Sequence, residues 1–184
     1  RTRTATTTSA GPTVVLVNGA WANSASWRGV IERLQSAGYT VDAPPNPLRS
    51  LKGDAATIAG FLKTIEGPIV LVGHSNGGFM SHRLACDRST RIAAIVSLAG
   101  DNWLDMSRCM ATAPVAVLQV HGDADAVIAY NGSAGFPSAH DTVAGWATEC
   151  CLTVDHVAAS GIQVRAAACC ELSLGSSLVG AMAR

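Results

Sequence analysis

The sequence predicts a three-layer α/β domain, and three observations carry that expectation. Short β-branched apolar runs recur along the chain, stretches of helical period lie between them, and several of the runs are apolar throughout rather than alternating. A strand that is apolar on both sides needs cover on both sides, and crossover helices supply it, so the sheet is expected to be mostly parallel with about six strands. The 184 residues are 48% hydrophobic and only 14% charged, with 13 basic groups against 13 acidic ones. Such a composition excludes a disordered tail protein, and the even charge balance removes the electrostatic footprint that nucleic-acid binding needs. No apolar run approaches the ~20 residues of a membrane span.

Taken in order, residues 1–11 (RTRTATTTSAG) lack any hydrophobic period and read as a disordered leader, leaving residues 12–184 for one domain. The expected strands are Thr13–Asn18, Tyr39–Ala43, Pro68–Gly73, Ile92–Leu98, Val115–Val120 and Leu152–Val154. Helical period falls on Ser26–Ser36, Asp54–Ile65, Gly77–Cys86 and Ser138–Cys150, with a last helix expected within Val164–Met182. Pro44–Leu51 (PPNPLRSL) is a loop, because its prolines remove donors and fix φ. The six cysteines, Cys86, Cys109, Cys150, Cys151, Cys169 and Cys170, fit neither zinc spacing nor a CxxC motif. Their even number permits up to three bridges and with them a secreted or periplasmic address; buried free thiols are the other reading.

Ligands of an open α/β sheet sit beyond the carboxyl ends of its strands, and the chemistry is expected there. The strongest pattern is Gly73-His74-Ser75-Asn76-Gly77, a GxSxG that follows the strand PIVLV and opens a helix. This is the strand–turn–helix context in which a serine nucleophile is held on a strained turn, and it makes Ser75 the candidate nucleophile. A serine needs a base, and the base an orienting acid, in the chain order Ser, acid, His. After VAVLQV stand Asp123 and Asp125; Asp125 is expected to face the histidine, with Asp123 as a turn residue. For the base, chain order leaves His140 and His156. His140 falls at a helix start with Ser138 as N-cap and Asp141 at N3, whereas His156 follows the short last strand and is the favoured base. Oxyanion donors are expected from the backbone amides of Asn76, next to the nucleophile, and Ala20, in the loop Asn18-Gly19-Ala20-Trp21. Trp21 is a candidate substrate contact, while Trp27 reads as core.

These residues resemble an α/β-hydrolase, a serine hydrolase superfamily, over nearly all of residues 12–160. Residues 13–78, with VLVNGAWANSASWRGVIERLQSAGYTV and VLVGHSNGG, are similar to small esterases of the HGAWA type, with Asn18 where that family has His. Residues 73–150, with GHSNGGFMSHRLAC and VLQVHGDADAVIAY, resemble polyhydroxybutyrate depolymerase and feruloyl-esterase-like proteins. That likeness implies catalytic roles for Ser75 and Asp125 and a bridge between Cys86 and Cys109; His156 rests on topology, since residues 151–184 resemble neither branch.

The expected function is therefore a serine carboxylesterase that hydrolyses short-chain or aryl esters, with polyesters as a further candidate, through an acyl-enzyme. It needs no cofactor and no metal, and its partner is a small-molecule or polymeric ester. The segment Ala99–Pro114, where lids of this superfamily enter, is too short to form a cap, so the site is expected to be open. The rival reading is a hydrolase-like fold with weak catalysis that serves as a ligand-binding protein.

Overall fold

In the computed structural model, residues 11–147, 152–158 and 161–168 are described. The expected leader, apart from Gly11, lies outside them. Five strands alternate with three helices in the first two thirds of the chain: β1 (Thr13–Val17), α1 (Arg28–Ser36), β2 (Thr40–Asp42), α2 (Leu51–Leu62), β3 (Ile69–His74), α3 (Asn76–Asp87), β4 (Ile92–Leu98) and β5 (Ala116–Gly122). After these come α4 (Ala139–Ala147), β6 (Leu152–Ala158) and β7 (Ile162–Ala168). The sheet has seven strands in the order β2-β1-β3-β4-β5-β7-β6. All pairings from β2 through β5 are parallel; β7 runs antiparallel to β5 and to β6.

The apolar strands are covered on both faces, as their composition requires. Val15 and Val17 of β1, with Ile69 and Leu71 of β3, pack with Ile58 and Leu62 of α2, Met80 and Leu84 of α3, and Val143 and Trp146 of α4. The alternate residues Val14, Leu16, Val70, Val72, Ala94 and Val96 face the other way, onto Trp27 and Leu34. Period-two alternation thus assigns each strand residue to one of two cores, and the three layers follow. Helix starts are capped by short polar side chains, as in Ser50, whose hydroxyl accepts from the Gly53 amide, and Ser138, which accepts from that of Asp141. Cys86 at the end of α3 is bridged to Cys109 in the β4–β5 connection, with Cα atoms 4.9 Å apart. That connection carries a single 3-10 turn, Met106–Arg108, and no cap. No helix among the described residues is long and apolar enough to cross a membrane.

Two expectations are corrected at the carboxyl end. The last helix is expected within Val164–Met182, but Val164–Ala168 belongs to a strand, Ile162–Ala168. Helix propensity is a weak prior, and the open edge of β5 offers a full row of backbone partners, Val117 with Ala167 through Gly122 with Ile162. The remainder of the expected helix lies outside the described residues. The last strand also runs past Val154 to Ala158, so that His156 lies inside it.

The glycines of the β3–α3 turn set how closely the layers approach. A Cβ on Gly73 would stand 2.0 Å from the carbonyl oxygen of Gly77, and one on Gly77 would stand 2.1 Å from that of Val17. Gly60, in the exposed interior of α2, has nothing within 4 Å of such a Cβ. Substitution by alanine should therefore have opposite signs at the two helices. In urea titrations Gly77→Ala is expected to lose about 1–3 kcal/mol or more, and Gly60→Ala to gain about 0.5–1 kcal/mol. A neutral Gly77→Ala would contradict the close approach.

Candidate active site

Ser75 sits between β3 and α3 at φ 53°, ψ −122°, a backbone conformation that costs a residue with a Cβ and persists only where its surroundings impose it. Those surroundings are visible. The Ser75 amide donates to the Leu98 carbonyl of β4 at 2.8 Å, and the Ser75 carbonyl accepts from Gly78 and Phe79 at 2.8 and 3.1 Å. Although Ser75 occupies the N-cap position of α3, its side chain makes no capping bond, unlike that of Ser50. The half-buried hydroxyl is thereby left for other work, beside the amide end of a helix where negative charge is favoured.

The loop after β1 folds against this turn. A Cβ on Gly19 would lie 2.8 Å from the His74 carbonyl oxygen and 3.1 Å from Ser75 Cβ, so only glycine allows the contact. Asn18 is 2% exposed, and its amide nitrogen donates to the carbonyls of Gly19 at 3.1 Å and Ala22 at 2.8 Å. The Asn18 side chain thus braces the loop itself. Ala20, Trp21 and Asn76 line one cleft of ≈790 Å³ together with Leu48, Ser50, Phe79, Met80 and Ile128. Both residues expected to supply oxyanion amides are on its wall. Trp21 is 100% exposed at φ 56°, so it stands at the rim and not in the core; Trp27 is buried, as expected.

Asp125 lies in the turn after β5. Its Oδ1 accepts from the amides of Val127 at 2.8 Å and Ile128 at 3.0 Å, and Oδ2 is 3.7 Å from Nε2 of His121. The Val127 bond, with that of Ile128, holds its carboxyl below the usual range. Asp123 is used differently: its amide donates to the Gly161 carbonyl at 2.8 Å and its carboxylate accepts from Gln163 at 3.4 Å, which ties β5 to β7. His140 is an exposed first-turn residue of α4, 3.4 Å from Asp141, inside the Ser138–Asp141 cap expected for it.

His156 is not brought to Ser75. In the strand registers His74 pairs with Leu98, Leu98 with Val120, Val120 with Val164 and Val164 with His156. Four strand spacings separate the first from the last, roughly 19 Å at ~4.8 Å each, several times the reach of an imidazole. His74, by contrast, is the exposed neighbour of Ser75.

One acid was not expected. Asp101, three residues beyond β4, is fully buried; Oδ1 accepts from the Thr142 hydroxyl at 3.1 Å, and Oδ2 has no hydrogen-bond partner among the described residues. Burial, with a smaller push from Asp125, raises its pKa from 3.8 to about 7. Its position past a strand's carboxyl end was legible in the sequence, but its burial was not. His82, fully buried, is lowered from 6.5 to about 4 by loss of hydration. The two act on stability in opposite senses. A raised carboxyl favours the fold below pH 3.8 and loses that contribution as pH rises through about 7; a lowered imidazole contributes fully above 6.5 and loses it as pH falls towards 4. Asp101→Asn should therefore raise Tm at pH 8, leave it nearly unchanged at pH 4, and uncover a fall between pH 6.5 and 4 that His82 causes. Equal gains at both pH values would contradict the assignment.

Residues 14–171 match the profile of the Alpha/beta hydrolase family. Over 113 residues the chain is 26% identical to "Putative esterase NocK" of Nocardia uniformis subsp. tsuyamanensis, a match that covers 60% of this chain and 33% of NocK, so that it spans about a third of that relative. Among solved structures, a pyrethroid hydrolase from Sphingobium faniae JZ-2 is similar at 26% identity over 48% of this chain and 40% of its own, with a TM-score of 0.44. A thioesterase domain from the curacin biosynthetic pathway is similar at 23% identity over 53% and 39%, with a TM-score of 0.47. With the family profile matched across most of its length and the strand–turn–helix of residues 69–87 at its centre, the chain belongs to the alpha/beta hydrolase family.

Proposed function

We propose that the protein is a serine carboxylesterase in which Ser75 attacks the ester carbonyl. The observation that carries this reading is the backbone of Ser75, φ 53° and ψ −122°, on a turn whose flanking glycines admit no Cβ. The hydroxyl oxygen adds to the carbonyl carbon and its proton leaves to a base. The negative charge that develops on the carbonyl oxygen is met by the amides of Ala20 and Asn76, which share the cleft. The alcohol departs with a proton, and water releases the acyl group by the reverse sequence. Asp125 is the acid that orients the base and stabilises its charged form.

Two imidazoles are candidates for the base. Chain order favours His156, which the strand register holds four strands from the corner, and His74 is the exposed residue next to the nucleophile. The substrate class follows from the open cleft, the absence of a cap in the β4–β5 connection and the exposed Trp21: short-chain or aryl esters, with room for a polyester chain. The esterase name of NocK agrees with this class. An oxidising address, secreted or periplasmic, suits the Cys86–Cys109 bridge. The second reading, a ligand-binding protein on a hydrolase fold, draws on one observation: among the described residues no imidazole is hydrogen-bonded to the Ser75 hydroxyl.

A panel of p-nitrophenyl acetate, p-nitrophenyl butyrate and a polymeric ester separates the two. The esterase reading expects turnover of the short esters, lost by about 10³-fold or more in Ser75→Ala. Turnover that survives Ser75→Ala, or none at all in the parent protein, would refute it. His74→Ala and His156→Ala assayed side by side identify the base as the variant whose loss matches that of Ser75→Ala.

A further inference from the structure

Four side chains behind the acid form a single buried chain of hydrogen bonds: Trp146, His82, Gln119 and His121 are 3, 0, 1 and 1% exposed. The Trp146 indole N–H lies 3.1 Å from His82 Nδ1, His82 Nε2 lies 3.4 Å from Gln119 Oε1, and the Gln119 amide nitrogen is 3.2 Å from His121 Nδ1. That nitrogen also bonds the Gly100 carbonyl, and His121 Nε2 lies 2.7 Å from the Ile128 carbonyl. The proton positions follow without free choice. An indole nitrogen only donates, so His82 Nδ1 accepts and its Nε2 carries hydrogen. Two carbonyls can only accept, so the Gln119 amide must turn its nitrogen to Gly100, and His121 must carry its hydrogen on Nε2. Both ends demand the same direction, and Gln119 is the joint between them.

The chain ends on the acid. His121 holds the carbonyl of Ile128, and the amide of the same Ile128 donates to Asp125 Oδ1 at 3.0 Å. We propose that Gln119 fixes His121 as the Nε2–H tautomer, and that His121 in that form clamps Ile128 and thereby the carboxylate of Asp125, making both of them positioning residues of the active site. The inference rests on the reading of Asp125 as the orienting acid. Neither side chain touches the reacting atoms. If His121 presented hydrogen on Nδ1 instead, it would meet the Gln119 amide donor to donor and turn a lone pair towards the Ile128 carbonyl, and the corner would open. Misplacement of a catalytic group by about 1 Å can cost about 100-fold in rate.

The test reads the tautomer directly. With 15N-labelled histidine, long-range proton–nitrogen correlation of the intact protein should show His121 and His82 as neutral Nε2–H imidazoles at pH 7. Gln119→Glu keeps the shape but offers only acceptors, so the His121 signal should change to an Nδ1–H or doubly protonated pattern, with kcat for p-nitrophenyl butyrate down tenfold to a hundredfold and KM within about twofold. His121→Gln, whose amide nitrogen can stand in for Nε2, should keep most of kcat, and His121→Leu should lose it. An Nδ1–H or cationic His121 in the parent protein overturns the proposal, as does a Gln119→Glu or His121→Leu variant with unchanged kcat. Should Gln119→Glu fail to fold, the parent spectrum and the His121 pair still decide. If the protein turns over no ester while His121 shows the Nε2–H pattern, the esterase reading falls and the clamp on Asp125 stands.

Discussion

The site depends on how closely α3 approaches the sheet at its first turn. Gly77 lies so near the Val17 carbonyl, and Gly73 so near that of Gly77, that no side chain fits between helix and strands. That contact forces the chain to turn within one residue, and the residue at the corner is Ser75, carrying a Cβ where glycine would sit easily. The strain is borne by bonds on either side of the corner, from the Ser75 amide to the Leu98 carbonyl and from the amides of Gly78 and Phe79 to the Ser75 carbonyl. A serine that would otherwise cap its own helix is turned away from that task.

The rest of the sheet places surfaces around this corner. Parallel order sets the carboxyl ends of β1, β3, β4 and β5 side by side, so the loops after them meet. The β1 loop, braced by Asn18, brings Ala20; the β5 turn brings Asp125 and, through Ile128, part of the cleft wall. The β4 loop is tied to α3 by the Cys86–Cys109 bridge and places Asp101 in the interior. Each loop is held by polar groups that have left water, and most of them are matched to a partner. Among the described residues Oδ2 of Asp101 is an exception, as are Oδ1 of Asn46 and the indole nitrogen of Trp27, and burial raises the Asp101 carboxyl to about 7.

Legibility in the sequence followed locality. The turn Gly73–Gly77 could be read because all its determinants lie within five residues, and the strands β1, β3, β4 and β5 because burial on both faces leaves an unbroken apolar run. Ser138 and Asp141 were legible as a cap for the same reason. What could not be read lies between distant residues. Trp146 and His82 are 64 positions apart, Asp101 and Thr142 are 41 apart, and nothing in either local sequence announces the partner. A helix is expected within Val164–Met182, but over Val164–Ala168 the free edge of β5, which belongs to another part of the chain, makes it a strand. His156 shows the same limit: chain order gave it a role, but the register of two antiparallel strands puts it four strands from the corner.

The proposed nucleophile, Ser75, combines a strained backbone with a base that Asp125 orients. The most direct measurement is covalent labelling by a fluorophosphonate, followed by peptide mapping of the adduct. A single phosphonylated site is expected, at Ser75, abolished by Ser75→Ala and slowed in Asp125→Asn. A protein that remains unmodified, or whose adduct maps to another residue, would contradict it.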